Sequence, residues 1–211
     1  MSDNTLPDEA APDTEEPKVR HRMKPGQRRE QILQTLAAML EQPGAERITT
    51  ASLAAKLDVS EAALYRHFAS KAQMFEGLID FIEHSVFSLI NQIAERDGDG
   101  AQKAARMITV LLQFGEKNPG MARVMVGDAL VFENERLHQR MNQLFERVES
   151  ALRQVLRAAA EANKSATPTA DAQVRAAALV SYALGSLQRF TRSGFKRSPL
   201  DHLDPSLALM L

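Results

Sequence analysis

Between Arg47 and Lys71 the chain sets out hydroxyls at Thr49, Thr50 and Ser60, a phenol at Tyr65, an imidazole at His67, a carboxylate at Glu61 and cations at Arg47, Arg66 and Lys71. These are donors and acceptors suited to phosphate oxygens and base edges rather than to bond breaking. Their spacing supports that chemistry. Leu53, Ala54 and Leu57 share one helical face, and Leu64 and Phe68, four apart, anchor a second short helix inward. The outer face of that second helix presents Ser60, Glu61, Ala62, Tyr65, Arg66 and His67. Thr49 or Thr50 can cap the first helix and Ser60 the second through a hydroxyl. Asp58 suits the turn between them, and Val59 plugs the core. The pattern predicts a helix-turn-helix with Ser60 to Phe68 as the reading helix. Small Ser60, Ala62 and Ala63 permit entry into a major groove about 12 Å wide. The helix's amino end aims N–H groups and a positive dipole end at phosphate. Tyr65 and Lys71 are expected at phosphates, and Ser60, Glu61, Ala62 and Arg66 beside base edges. Arg47, Thr49, Thr50 and His67 complete the candidate DNA-binding set.

Other chemistries find little support. The five histidines (His21, His67, His84, His138, His202) lack metal-ligand spacing. Glu133 and Glu135 near His138 read as a solvated helix start, not a metal site. The chain has no Gly-rich phosphate loop and no nucleophile elbow. It has no Cys, which excludes disulfides, thiolate zinc sites and cysteine nucleophiles and fits a reducing cytoplasm. No enzyme, cofactor or metal is expected. No run approaches the ~18 apolar residues of a membrane span, and the acidic N-terminus does not look like a secretory signal.

The elements that must hold these residues are helical. At 211 residues, 44% hydrophobic and 25% charged, the chain can bury a sizeable core. Its net charge of −1 hides an asymmetry. Residues 1–16 carry six acids and no base, and residues 17–29 carry six bases and no acid. A basic arm directly before a helical head is what phosphate attraction favours. Residues 1–26, rich in Pro and charge, read as a disordered leader. Residues 27–69 read as a three-helix DNA-binding head, its first helix stopped by Pro43-Gly44. Residues 70–211 read as a helical body, opened by the capping pattern Ser70-Lys71-Ala72-Gln73. Body helices are expected at 70–96, 101–117, 119–131, 134–162 and 171–192, with a short one within 200–211 and a polar loop at 163–170. The class is all-α, about nine helices without strands. The apolar stripe of 134–162, and Ala176, Ala177, Ala178, Ala183, Gly185 and Ser186 on the next helix, predict a four-helix homodimer interface. A two-fold dimer would set two reading helices about 34–36 Å apart on a pseudo-palindrome.

Ile48-Thr49-Thr50-x-x-Leu53-Ala54, followed by Val59-Ser60-x-x-x-Leu64-Tyr65-x-His67-Phe68-x-Ser70-Lys71, resembles the DNA-binding head of the tetracycline-repressor-like regulators over about residues 28–75. Asp58 stands where that family usually has Gly. Beyond the head, Phe114-Gly115-Glu116-Lys117-Asn118-Pro119-Gly120, Asn142-Gln143-Leu144-Phe145-Glu146-Arg147 and Arg189-Phe190-x-Arg192-Ser193-x-Phe195-Lys196 resemble one subgroup, the nucleoid occlusion factors, to about residue 200. The resemblance implies a homodimer on palindromic chromosomal sites, several dimers per site being open, that contacts the tubulin-like division protein FtsZ and inhibits septum assembly over the nucleoid. It implies a cytoplasmic, nucleoid-associated protein, with Phe81, Lys117 and Asn118 as candidate partner contacts. From the residues alone, Phe81 reads equally as a core aromatic, and Lys117-Asn118 as a plain helix stop. Nothing transfers to the acidic leader.

Two rivals stand beside this reading. A ligand-gated repressor would line a body pocket with Phe114, Met121, Met125, Phe132 and Met141, although Met and Phe at helical spacing are also ordinary core. A closed, filled body favours occlusion; an apolar cavity with converging polar groups favours ligand sensing. An architectural DNA protein would show broad sequence tolerance and a dominant salt-dependent term.

Overall fold

A computed structural model describes residues 26–42 and 47–211. Residues 1–25 of the expected 1–26 leader and the Pro43-Gly44 stop lie outside the described residues. Among the described residues nine α-helices and no strands form the fold. The head comprises α1 (Gln27–Leu40), α2 (Thr50–Lys56) and α3 (Glu61–Tyr65), followed by the long α4 (Lys71–Glu95). Then come α5 (Gly100–Lys117), α6 (Pro119–Met125), a 3₁₀ turn (Asp128–Leu130), α7 (Glu135–Ala162), α8 (Pro168–Arg192) and α9 (Leu203–Met210).

The core follows the three- and four-residue spacing of the apolar side chains. In α7, Leu137, Met141, Leu144, Val148, Leu152 and Val155 are all buried, and α8 packs along this stripe. The helix α4 is the joint between head and body. Its buried residues, from Met74 and Phe75 through Ile82 to Ile93, meet α1 at one end and α5 and α7 along its length. Gly120 lets α6 approach α1 closely, because a Cβ there would lie 2.2 Å from the carbonyl oxygen of Ala37.

One face of α4 is also tied to α7 by charge. Arg136 pairs with Glu76 at 2.7 Å, Arg140 with Asp80 and Glu83 at 2.9 Å each, and Arg147 reaches Glu83 at 3.9 Å. Arg147 also lies 3.9 Å over the Phe87 ring. Burial works against the Arg140 charge, yet its hydrogen bonds to Asp80 and Glu83 raise its pKa above the ordinary value. Exposed pairs of this kind are individually weak. As a ladder they fix the register of α4 on α7.

Three boundaries differ from the sequence expectation. The reading helix is shorter, since α3 covers only Glu61–Tyr65, with Ser60 as N-cap and Arg66 as C-cap. Residues 119–131 are not one helix: α6 ends at Met125, Gly127 turns left-handed at φ 84°, and a 3₁₀ turn follows. The loop at 163–170 is also shorter, because Pro168 opens α8. Proline's fixed φ suits a first helical turn, where its missing N–H is not needed.

Candidate nucleic-acid interface

The helix-turn-helix is built from local rules. Thr49 caps α2, its hydroxyl accepting from the Ser52 N–H at 3.0 Å while the Ser52 hydroxyl accepts from the Thr49 N–H at 3.0 Å. At the other end the Val59 N–H donates to the Ala54 carbonyl at 3.0 Å and the Asp58 N–H to the Ala55 carbonyl at 3.2 Å. That is a Schellman stop, with Asp58 in the left-handed region at φ 53°. Ser60 then caps α3, its Oγ accepting from the Ala63 N–H at 3.3 Å. A helix of five residues has no stability of its own. It is held by Leu64 and Phe68, each 1% exposed, against Leu53 and Ala54. Two polar ties complete the hold. The Thr50 hydroxyl donates to Glu61 Oε2 at 2.5 Å. Arg29 donates to the His67 carbonyl at 3.0 Å and lies 4.1 Å over the Phe68 ring.

The candidate residues divide by what they already hold. Arg47, Thr49, Ser60, Glu61, Ala62, Tyr65, Arg66 and His67 are exposed, whereas Thr50 and Lys71 are half-buried. Thr49 and Ser60 spend their hydroxyls on capping, and Thr50 and Glu61 spend theirs on each other. Among the described residues, the side chains of Tyr65, Arg66 and His67 carry no hydrogen bond or ion pair. Tyr65 is 47% exposed. A phenol, a guanidinium and an imidazole therefore stand unspent beside small Ala62. Arg47 and Lys71 are engaged by the body instead, Arg47 over the Phe132 ring at 5.2 Å and Lys71 with Glu133 at 2.5 Å.

The second candidate group lies on α4 and at the α5–α6 corner. Phe81 is 49% exposed, so it is not the core aromatic that its apolar neighbours allow. Its ring sits 6.2 Å from that of buried Phe114, and the Phe114 carbonyl accepts from Asn118 Nδ2 at 2.8 Å. Asn118 ends α5 and opens α6, and Lys117 beside it is exposed. The structure thus brings both Phe81 and Asn118 into contact with Phe114, one through its ring and the other through its backbone.

Other expectations divide or fail. Of the six small residues on α8, Ala176, Ala183 and Ser186 are buried inside the chain, leaving Ala177 and Ala178 exposed and Gly185 half-buried. An outer groove between α7 and α8 is lined by Asn142, Phe145, Glu149, Ala177, Ser181 and Leu184 and, where it meets the end of α6, by Met125, His138 and Met141. Of the proposed pocket residues, Phe114, Met121, Met125 and Met141 are buried, Met125 and Met141 bordering that groove, whereas Phe132 is 63% exposed. Glu133 is not part of a solvated helix start, since it is half-buried against Lys71. His138 contacts the Leu130 carbonyl at 2.8 Å. Sequence reasoning missed Arg29, Phe132 and Glu133 as supports of the head, and it missed the α4–α7 ladder. The ladder had a signal: Glu76, Asp80 and Glu83 on one helix and Arg136, Arg140 and Arg147 on the other form stripes of opposite sign.

Residues 32–78 match the family described as bacterial regulatory proteins, tetR family. Residues 100–211 match the tetracyclin repressor-like C-terminal domain of the SlmA-like type. Over 188 residues the chain is 50% identical to the nucleoid occlusion factor SlmA of Vibrio vulnificus (strain YJ016), covering 89% of this chain and 95% of the relative. Against SlmA of Vibrio cholerae serotype O1 it is 52% identical over 184 residues, covering 87% and 93%. Among solved structures, the TetR family regulator PfmR of Thermus thermophilus superposes with TM-score 0.70 at 22% identity, covering 85% of this chain and 96% of that one. FadR of Bacillus subtilis, in complex with stearoyl-CoA, gives 0.67 at 14%, covering 86% and 96%. These two share the fold.

Proposed function

The chain belongs to the nucleoid occlusion factor SlmA family of tetR-type regulators, and from that membership we propose that it works as a homodimer on palindromic chromosomal sites, contacts FtsZ there and inhibits septum assembly over the nucleoid. The family consists of DNA-binding regulators rather than enzymes. Roughly half identity running through both head and body carries the reading, because a relative sharing only the head would support DNA binding alone. In this proposal 27–69 is the DNA-binding domain and 70–211 the dimerisation and partner domain. Residues 1–26 are the leader. The dimer pairs the outer faces of α7 and α8.

The residues fit these roles. Tyr65, Arg66 and His67 offer unspent donors to the duplex, with Ala62 as the small neighbour that lets the groove close in. Phe81, backed by Phe114, whose carbonyl also holds Asn118, offers an apolar side chain to a partner segment of FtsZ, and exposed Lys117 at the end of α5 offers a cation. No helix among the described residues is long and apolar enough to cross a membrane. We place the protein in the cytoplasm, on the nucleoid.

The ligand-gated reading draws on FadR, whose solved structure holds stearoyl-CoA. At 14% identity that likeness reaches the fold only; of the five residues proposed to line a pocket, Met125 and Met141 border the groove between α7 and α8, and Phe132 stands on the outside. The deciding experiment is capture of purified FtsZ by the immobilised protein with and without duplex carrying a bound site. Capture that depends on DNA is expected. Capture absent in both arms would favour the ligand-gated repressor.

A further inference from the structure

Two of the cations in the candidate DNA-binding set are already occupied, and a single loop of the body occupies both. That loop, residues 131–134, joins the 3₁₀ turn to α7, with Asn134 capping the helix at the Arg136 N–H. Glu133, only 10% exposed at its side chain, holds the Lys71 ammonium at 2.5 Å. The preceding Phe132 lies under the Arg47 guanidinium at 5.2 Å, although the ring itself is 63% exposed. Arg47 lies just before α2 and Lys71 opens α4, so the loop spans the two ends of the helix-turn-helix. The other group facing Lys71 is the Phe75 ring at 5.7 Å, which carries no charge to compete.

We propose that Glu133 and Phe132 are positioning residues for DNA recognition, holding Lys71 and Arg47 in the free protein and giving both up to backbone phosphates when duplex binds. The inference rests on the DNA-binding reading above and adds to it a built-in competitor. A phosphate brought to Lys71 competes with the Glu133 carboxylate for the one ammonium charge and is repelled by that carboxylate, so binding exchanges one anion for the other. The exchange lowers affinity relative to a head whose lysine is free. Lys71 keeps 29% of its side-chain surface, which leaves it a path to solvent without unfolding the head. The ring under Arg47 is a weaker hold, of the size of an exposed cation–π contact, and yields with it.

The phosphate contribution is independent of sequence, so the test uses a short mixed-sequence duplex at low salt. Glu133→Gln keeps the shape and removes the competing charge. It is expected to bind this duplex about two to five times more tightly than the unaltered protein, the upper range of an exposed ion pair. In the Lys71→Gln background the same Glu133→Gln change is expected to leave affinity unmoved, an outcome that a general loosening of the fold would not give. The chain has no Trp, so Phe132→Trp places a single reporter at an exposed position. Its emission is expected to change on saturation with duplex and to follow the same binding curve. Affinity for Glu133→Gln at or below that of the unaltered protein would overturn the proposal, as would emission from the Phe132→Trp variant that is indifferent to bound duplex. Failure of the unaltered protein to bind any duplex would instead remove the DNA-binding reading on which the proposal stands.

Discussion

The Thr50 hydroxyl donates to the Glu61 carboxylate across 2.5 Å, joining the first turn of α2 to the first turn of α3. The two residues lie eleven apart and on either side of the Schellman turn, so this bond sets the angle between the helices where the turn alone would not. It gives Glu61 a reason to be acidic on a face proposed to meet phosphate. A carboxylate bound to a hydroxyl serves the geometry of the head.

Thr50→Val and Glu61→Gln should therefore act through the same bond. Each is expected to cost about 0.5–1.5 kcal/mol of stability, and the double variant should cost much less than the sum. Duplex affinity should fall about three- to tenfold in each, since both loosen α3 on α2. Thermal melting and fluorescence titration check both halves. Additive effects would mean that the bond is not formed in solution.

Thr49→Ala and Tyr65→Ala separate support from contact. Thr49 caps α2, so its loss should lower stability by about 1 kcal/mol as well as weaken DNA binding. Tyr65 is half-exposed and its hydroxyl holds nothing, so its loss should weaken DNA binding at unchanged melting temperature. Unchanged affinity in both would remove the helix-turn-helix assignment.

Phe81→Ser tests the partner surface apart from the duplex. Half of the ring is already in water, so the expected cost is about 1–2 kcal/mol, below the ~3–5 kcal/mol of a fully buried Phe. Duplex affinity should hold while capture of FtsZ on DNA is lost. Retained capture would move the partner site away from the Phe81–Phe114 pair.

Asp171 gives a pH signature for the start of α8. Hydroxyls of Ser165 and Thr167 donate to its carboxylate at 2.5 and 3.0 Å, which holds its pKa below the ordinary aspartate value. A folded value depressed below the unfolded ~3.9 stabilises the fold above that pH, and the gain is lost as pH falls through the folded value. The stability difference between the unaltered protein and Asp171→Asn should thus be constant above pH ~5 and shrink below ~4. A difference that persists unchanged into acid would show that the hydroxyls do not favour the charged form.

Much of the fold is legible in the residues, and the limits have physical causes. Periodicity locates the helices because each buries one face, and cap residues such as Ser60 and Ser70 mark their starts. Asp58 is readable as a turn residue, and the structure gives it the left-handed φ of 53° that Gly adopts freely. Breaks set by one residue are harder: Gly127 ends a helical run whose hydrophobic pattern carries on through Leu130. Hardest are contacts between residues far apart in the chain. Lys71 and Glu133 are separated by 62 positions, and nothing local distinguishes an acid that meets a lysine from one that meets water. For the same reason the bond between Thr50 and Glu61 cannot be read from either residue's own surroundings in the sequence.

Occlusion and local gene control make opposite statements about where the protein sits in the cell. Mapping the DNA recovered with it across the whole chromosome tests that difference most directly. The account predicts many palindromic sites spread along the chromosome and sparse near the replication terminus. A single site beside one operon would contradict it.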